Sequence, residues 1–306
     1  MVIWQIFDDK PGHDNQNRGL VNALSRQETC HIIAISADKL RFGLLQLLLK
    51  HYPPGRGLPA PELIIGAGHG THLSLLCARR AYGGHAVVIM QPGLPASWFD
   101  FCLIPQHDEP PEAGNIIITE GAINNILPSS RHDPALGLML IGGPSRHYGW
   151  DDGEIMEQID LILKRTPEIT WRITDSRRTP PSTRKVLAAM KNGHAAFHPH
   201  EQTAPDWLPG QLAAAGQAWV SADSVSMIYE ALTSGVATGL LSVPCGKENK
   251  LACSQERLSR MGLITDFNEW RGGKQLSPPA QIFDEASRCA GLILSRIRNQ
   301  QNFPVA

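Results

Sequence analysis

From its second residue onward the chain alternates short runs rich in Val and Ile with longer stretches of helical apolar spacing, and this alternation constrains the fold more than any other feature. Parallel strands cannot be joined by a tight turn; they need a crossover of a dozen or more residues, usually a helix. The strands expected in the first half are 2–7, 31–35, 62–65, 86–90, 101–104 and 115–119, with helices at 15–25, 39–51 and 71–82. Leu127-Pro128-Ser129-Ser130-Arg131-His132-Asp133-Pro134 then breaks all periodicity and reads as a linker. The same grammar restarts beyond it, with strands at 137–141, 169–174, 195–198, 218–221 and 236–243 and helices at 152–165, 182–191, 224–234 and 250–261. A length of 306 residues suits two such domains. They are drawn at 1–130 and 131–306, with the last helix, 280–299, expected to pack back on the first. The fold class that follows is α/β, two Rossmann-like domains facing a cleft.

Composition narrows the partners. Lys and Arg number 28 against 29 Asp and Glu, so the chain is not built to coat nucleic acid. Its apolar stretches fall short of the about 18 residues a bilayer span needs, and Asp8 and Asp9 stand where the apolar core of a signal peptide would continue. Six single cysteines without a CxxC argue against a disulfide framework or a Cys-rich zinc site and for a reducing, cytoplasmic setting. The segment 39–50 is leucine-rich nearly all round and flanked by Lys39, Arg41 and Lys50. It is expected either to be buried or to lie on an anionic membrane surface, the peripheral attachment that a lipid-linked acceptor would call for.

Ligands of open parallel sheets collect at the carboxyl ends of strands, which singles out four loops. The first, Asp8 to Asn17, offers Lys10, Gly12 for close approach and His13 as a general base; read blandly, it is a polar turn with Asp14 capping a helix. In the second, Gly66-Ala67-Gly68-His69-Gly70-Thr71, alternating glycines would expose amides to a ligand, though GxGxG is not the dinucleotide fingerprint. The third pairs the turn Gly142-Gly143-Pro144-Ser145 with Asp175-Ser176-Arg177-Arg178-Thr179-Pro180, where amides, forked guanidinium donors and a helix start point to a diphosphate. The fourth, Ser221 to Ala231, carries Asp223, Ser224, Ser226 and Glu230. A carboxylate beside a phosphate loop suits paired sugar hydroxyls, whereas Asp223 or Ser224 as a plain helix cap is the structural alternative. His198-Pro199-His200-Glu201 and His69 with His72 form no recognised metal spacing, so neither a metal nor a cofactor is expected.

These blocks, together with Trp98-Phe99-Asp100 and Pro105-Gln106-His107-Asp108, resemble the mitochondrial fission Elm-type family across nearly the whole chain. More distantly, the two-half layout is similar to GT-B glycosyltransferases and nucleotide-sugar 2-epimerases. That resemblance implies a GT-B-like fold in which the second domain holds a nucleotide-diphosphate sugar through Gly142, Gly143, Ser145, Arg177, Ser224 and Glu230, with Arg178 and Thr179 beside them. The first domain would contact the acceptor through Lys10, Gly12, Gly68 and His69, and His13 would be its base. Two departures stand out: Lys-Pro-Gly-His replaces a GGxGGH-type loop, and Ala237 stands where a proline commonly follows Gly235. The expected function is a glycosyltransferase using a nucleotide-diphosphate sugar. The alternatives are a nucleotide-sugar 2-epimerase and, from another class, a non-catalytic scaffold that recruits a partner protein as in organelle fission.

Overall fold

A computed structural model describes residues 1–37, 44–245 and 250–302. It divides into two compact units, one of Met1–Asn125 completed by the C-terminal segment from Glu285, the other of Ile126–Asp284.

The first unit runs β1 (Val2–Phe7), α1 (Pro11–Gln27), β2 (His31–Ser36), α2 (Leu44–Leu48), β3 (Leu63–Ala67), α3 (His72–Tyr82), β4 (His85–Ile89), β5 (Phe101–Pro105) and β6 (Ile116–Thr119). All six strands are parallel, in the order β2-β1-β3-β4-β5-β6. Every residue of β3 and β5 is buried, as strands covered on both faces must be. Side chains alternate across a sheet, so Ile3, Leu63, Val87 and Phe101 enter one core while their neighbours Trp4, Ile64, Val88 and Cys102 enter the opposite one.

The second unit follows with β7 (Asp133–Leu140), α4 (Asp152–Arg165), β8 (Thr170–Thr174), α5 (Pro181–Ala189), β9 (Ala195–His198), α6 (Trp207–Ala214), β10 (Ala215–Ser221), α7 (Val225–Ser234), β11 (Ala237–Leu241), α8 (Lys250–Arg260), β12 (Thr265–Asp266) and α9 (Phe267–Arg271). Its strands are also all parallel, ordered β12-β11-β10-β7-β8-β9. α4 shows why the sequence folds as it does. Asp151 caps it by accepting the Glu154 N–H at 3.0 Å, Ile155, Ile159 and Ile162 form its buried stripe, and Lys164 and Arg165 meet its negative end. The last helix, α10 (Glu285–Asn302), belongs to the first unit. Cys289, Ala290 and Ile293 enter the core that holds Leu24 of α1, and Gln27 donates to the Ser287 carbonyl at 2.9 Å.

Several local expectations are corrected. α1 begins at Pro11, with Lys10 and not Asp14 at its cap, because proline supplies helical φ at a first-turn position where its missing N–H costs nothing. The expected linker overruns into β7, which tolerates Pro134 near its start. Of the leucine-rich segment, 38–43 lie outside the described residues; Leu47 packs on the core, but Leu45, Leu48 and Leu49 are 63, 75 and 67% exposed, so burial does not account for them. α6, α9 and β12 carry no sequence signal strong enough to be expected.

The strand orders locate the sites. In the first unit the chain reverses direction across the sheet between β1 and β3, and in the second between β7 and β10. At such switch points the loops leaving the two strands part and open a crevice at their carboxyl ends.

Candidate functional sites at the two strand-end rims

In the second unit, β7 leads into Gly142-Gly143 and β10 into Ala222-Asp223-Ser224. Both glycines are buried and their amides point into the protein: Gly142 N–H donates to Ser221 Oγ at 2.7 Å and Gly143 N–H to Asp223 Oδ2 at 3.0 Å. The expectation that this turn offers free amides to an anion is therefore corrected. Glycine is required for another reason, since a Cβ at Gly142 would lie 2.2 Å from Asp223 Oδ2 and one at Gly143 2.1 Å from the Arg178 carbonyl oxygen. The turn is a spacer that lets three loops close on one carboxylate.

That carboxylate, Asp223, lies outside α7 and its side chain is fully buried, so it is not displayed on the helix with Ser226 and Glu230 as expected. It also takes the Arg178 guanidinium, with Nη2 2.7 Å from Oδ2, while Arg178 Nη1 donates to the Gly143 carbonyl at 2.8 Å. Arg178 is thus a brace. Thr179 is buried too: it accepts the Ser176 N–H at 2.8 Å and turns its hydroxyl toward the Ile141 and Gly142 carbonyls, away from the rim. Ser145 is exposed but closes its own turn, accepting from His147 and Tyr148 N–H.

The remaining expected residues stand beyond β8 and at the start of α7. Arg177 is exposed, with no hydrogen bond or ion pair among the described residues. Ser224, itself buried, precedes α7 with a hydroxyl that makes no capping bond. The amides of Val225, Ser226 and Met227 find no acceptor among the described residues, the first helical bond being Ile228 N–H to the Ser224 carbonyl. Such a helix start favours an anion. Glu230 sits half-buried on the second turn.

A second buried aspartate holds the neighbouring strand end. Asp175, just after β8, lies 2.7 Å from Arg184 Nε and accepts from the His200 backbone N–H at 2.7 Å, with His200 Nδ1 3.0 Å away. Arg184 also donates to the Ser176 carbonyl at 2.7 Å, fixing the base of the Arg177 loop. His200 is therefore a partner of Asp175, and His198 packs on Trp207 with ring centroids 5.3 Å apart. Among the described residues no group of three or more His, Cys, Asp or Glu is arranged to hold a metal ion.

In the first unit, β1 ends at Phe7 and the next residue, Asp8, is buried. His13, on the first turn of α1, brings Nδ1 to 2.8 Å from Asp8 Oδ2. Lys10 donates its N–H to Asp8 Oδ1 at 3.3 Å and holds Nζ 3.7 Å from Oδ2. The loop after β3 packs against this pair. Gly68 has φ +77° and lies under the His13 ring, Gly70 lies against Asp8, and Gly12 faces open space. His69 stands 5.1 Å from the ring of His72, which burial, with a smaller contribution from His69, pushes down to about 4. Asp14 is raised above the ordinary carboxylate value by burial and by Asp8 and Asp9. Asp8, Asp9 and Asp14 gather at this strand end against Lys10 and Arg18. Sequence reasoning placed Asp8 and Asp175 in its loops without a role, put Asp223 on the helix and passed over Arg184; the signal the three aspartates share is a position one or two residues beyond a strand.

Two parallel-sheet units of this kind make the protein a GT-B-like α/β protein. The family model for mitochondrial fission ELM1 matches residues 11–297, and the chain belongs to that family. An uncharacterised protein of Rickettsia prowazekii (strain Madrid E) is 26% identical over 330 aligned positions, covering 88% of this chain and 91% of its own. Among solved structures, a Listeria monocytogenes protein assigned as a UDP-N-acetylglucosamine 2-epimerase superposes with a TM-score of 0.62 at 13% identity, covering 98% of this chain and 96% of its own. The Neisseria meningitidis UDP-GlcNAc 2-epimerase bound to UDP-GlcNAc gives 0.54 at 11% identity, covering 98% and 100%. The E. coli ADP-heptose heptosyltransferase II gives 0.50 at 11%, covering 78% and 84%. At such identities the likeness is one of fold.

Proposed function

We propose that the chain is a glycosyltransferase that binds a nucleotide-diphosphate sugar at the β7/β10 rim of its second unit, with His13 of the first unit taking the proton of the acceptor. The observation that carries the reading is the start of α7 at the switch point, where three amides have no acceptor among the described residues, on the carboxyl side of a sheet whose neighbouring strand β8 leads into the exposed Arg177. The diphosphate would bind there, and Glu230 would take the ribose hydroxyls. Gly142, Gly143, Arg178 and Thr179 build the rim without touching the ligand. Lys10, Gly12, Gly68 and His69 line the acceptor side. In the transfer, the acceptor oxygen bonds to the anomeric carbon as the bond from that carbon to the diphosphate oxygen breaks. His13 accepts the hydroxyl proton, and the nucleoside diphosphate leaves with its new charge met by Arg177 and the α7 amides. Leu45, Leu48 and Leu49, with Lys50 and His51 beside them, offer a surface on which a membrane-borne acceptor could be met.

The fold shared with the Neisseria enzyme, which is bound to UDP-GlcNAc, supports 2-epimerisation as a second reading of the same donor site. Calorimetry with UDP, GDP, ADP and CDP tests the donor site itself, and a ligand at 100 times its Kd should stabilise the fold by about 2.7 kcal/mol. If none binds, the reading fails and the scaffold alternative stands. If one binds, product analysis with the matching nucleotide sugar separates transfer from epimerisation.

A further inference from the structure

We infer that Asp8 is a positioning residue that fixes the proton of His13 on Nδ1, and that the glycines after β3 serve to seat this pair. Only the consequence for turnover rests on the function proposed above. An imidazole takes a proton through a nitrogen that carries a lone pair, so a base facing a ligand must keep its own proton on the other nitrogen. In this structure Nδ1 faces a carboxylate oxygen at 2.8 Å, and the Asp8 side chain is 2% exposed. A carboxylate only accepts, so Nδ1 must be the donor, and in the neutral ring Nε2 then keeps its lone pair. The His13 side chain is 21% exposed, which leaves the ring reachable.

The neighbouring loop is cut to fit. A Cβ on Gly68 would stand 2.2 Å from the His13 ring, and one on Gly70 would stand 3.0 Å from Asp8. The Gly68 N–H is already directed at the Ile89 carbonyl at 3.4 Å, and the Thr71 hydroxyl donates to the Gly68 carbonyl at 2.9 Å. Gly68 and Gly70 thus give way to His13 and Asp8, while Gly66, still within β3, makes room for Thr71. This accounts for the last two glycines of a pattern that lacks the dinucleotide spacing and follows the third strand.

The test uses the full chain labelled with ¹⁵N and a long-range imidazole correlation spectrum, with His13 assigned by loss of its signal in His13→Gln. The expected result is a neutral ring carrying its proton on Nδ1. Asp8→Asn should lose that preference, and Gly68→Ala should displace the ring and shift both nitrogens. Gly114→Ala, whose new Cβ meets nothing within 4 Å, should leave the spectrum unchanged. Where turnover is measurable, Asp8→Asn should lower it by about 10²- to 10⁴-fold, the range of a lost general base, while donor affinity stays fixed. A wild-type ring protonated on Nε2, or an Asp8→Asn ring with unchanged tautomer, overturns the inference. Should Asp8→Asn fail to fold, the wild-type and Gly68→Ala spectra decide it. Because the tautomer is read without substrate, absence of turnover on every nucleotide sugar would sink the catalytic reading and leave the pair standing.

Discussion

Replacing Arg178 by alanine should destabilise the second unit more than replacing its partner Asp223, even though Arg178 is the more exposed of the two. The arginine side chain is 41% exposed and the aspartate side chain 0%, with Nη2 2.7 Å from Oδ2. Without the arginine, a buried carboxylate is left with one N–H, that of Gly143 at 3.0 Å, and breaking a buried pair in this way costs about 3 to 5 kcal/mol. Solvent reaches the arginine end and screens the pair, which places the expectation at the lower limit, about 3 kcal/mol. Without the aspartate, the guanidinium can hydrate and the orphan is the Gly143 amide, a loss of about 1 to 3 kcal/mol. For a unit of this size 3 kcal/mol corresponds to a Tm drop of about 6 to 12 °C. The double variant strands no charge, so it should be less damaged than the two losses added, with a coupling energy of at least about 1 kcal/mol. Urea unfolding of the wild type, both single variants and the double, followed by far-UV circular dichroism, measures all four corners. A loss below about 1 kcal/mol for Arg178→Ala, or a smaller one than for Asp223→Ala, would refute the brace and return Arg178 to the ligand.

Arg177→Ala should leave stability nearly unchanged yet weaken nucleotide diphosphate binding by about 1.5 to 3 kcal/mol, the worth of a charge-assisted bond; calorimetry showing equal affinity removes Arg177 from the donor site. His13→Ala should cut turnover by about 10²- to 10⁴-fold without moving donor affinity, and an affinity loss equal to that of Arg177→Ala would place His13 with the donor instead. Folded His72 titrates at about 4 against 6.5 for the unfolded chain, so between these values only the unfolded state is protonated and stability falls as pH drops. That slope should amount to about 3 kcal/mol across the window and vanish in His72→Phe; unfolding curves at pH 6.5 and 4.5 that shift equally in both proteins would contradict it. Vesicles containing anionic lipid should carry the protein upward in flotation, and Leu45→Ser with Leu48→Ser should abolish this, whereas protein that stays at the bottom excludes membrane docking.

The alternating grammar made the parallel sheets legible because central strands such as β3 and β5 are buried on both faces and helices such as α4 carry a continuous apolar stripe; α4 was bounded to the residue, since cap, stripe and terminal charges all agree. β12 and α9 escaped because two- and five-residue elements hold too few positions to show a period. The rims were legible as places, since glycine, proline and polar residues collect after strands, but not as roles. Arg177 and Arg178 are adjacent and alike in sequence, and only the fold turns one toward Asp223, 45 positions later, and leaves the other at the surface.

The same physics recurs at three strand ends. Asp8, Asp175 and Asp223 each stand one or two residues beyond a parallel strand, where the chain leaves the sheet, and each is buried beside a basic group: His13, Arg184 with His200, and Arg178. A carboxylate at that depth must be paired or it will not stay charged, so each aspartate holds a partner from an adjoining helix or loop and ties it to the sheet. Two of the three ties, at Asp175 and Asp223, pull loops together beneath the Arg177 turn. The third holds an imidazole with no guanidinium beside it among the described residues, whereas at Asp175 the imidazole of His200 shares the carboxylate with Arg184. The difference lies in the partner: a guanidinium bound to a buried carboxylate is spent as structure, whereas an imidazole bound the same way still has a second nitrogen to offer. On that ground the Asp8–His13 pair is where chemistry is expected, and the braced arginines are where rigidity is.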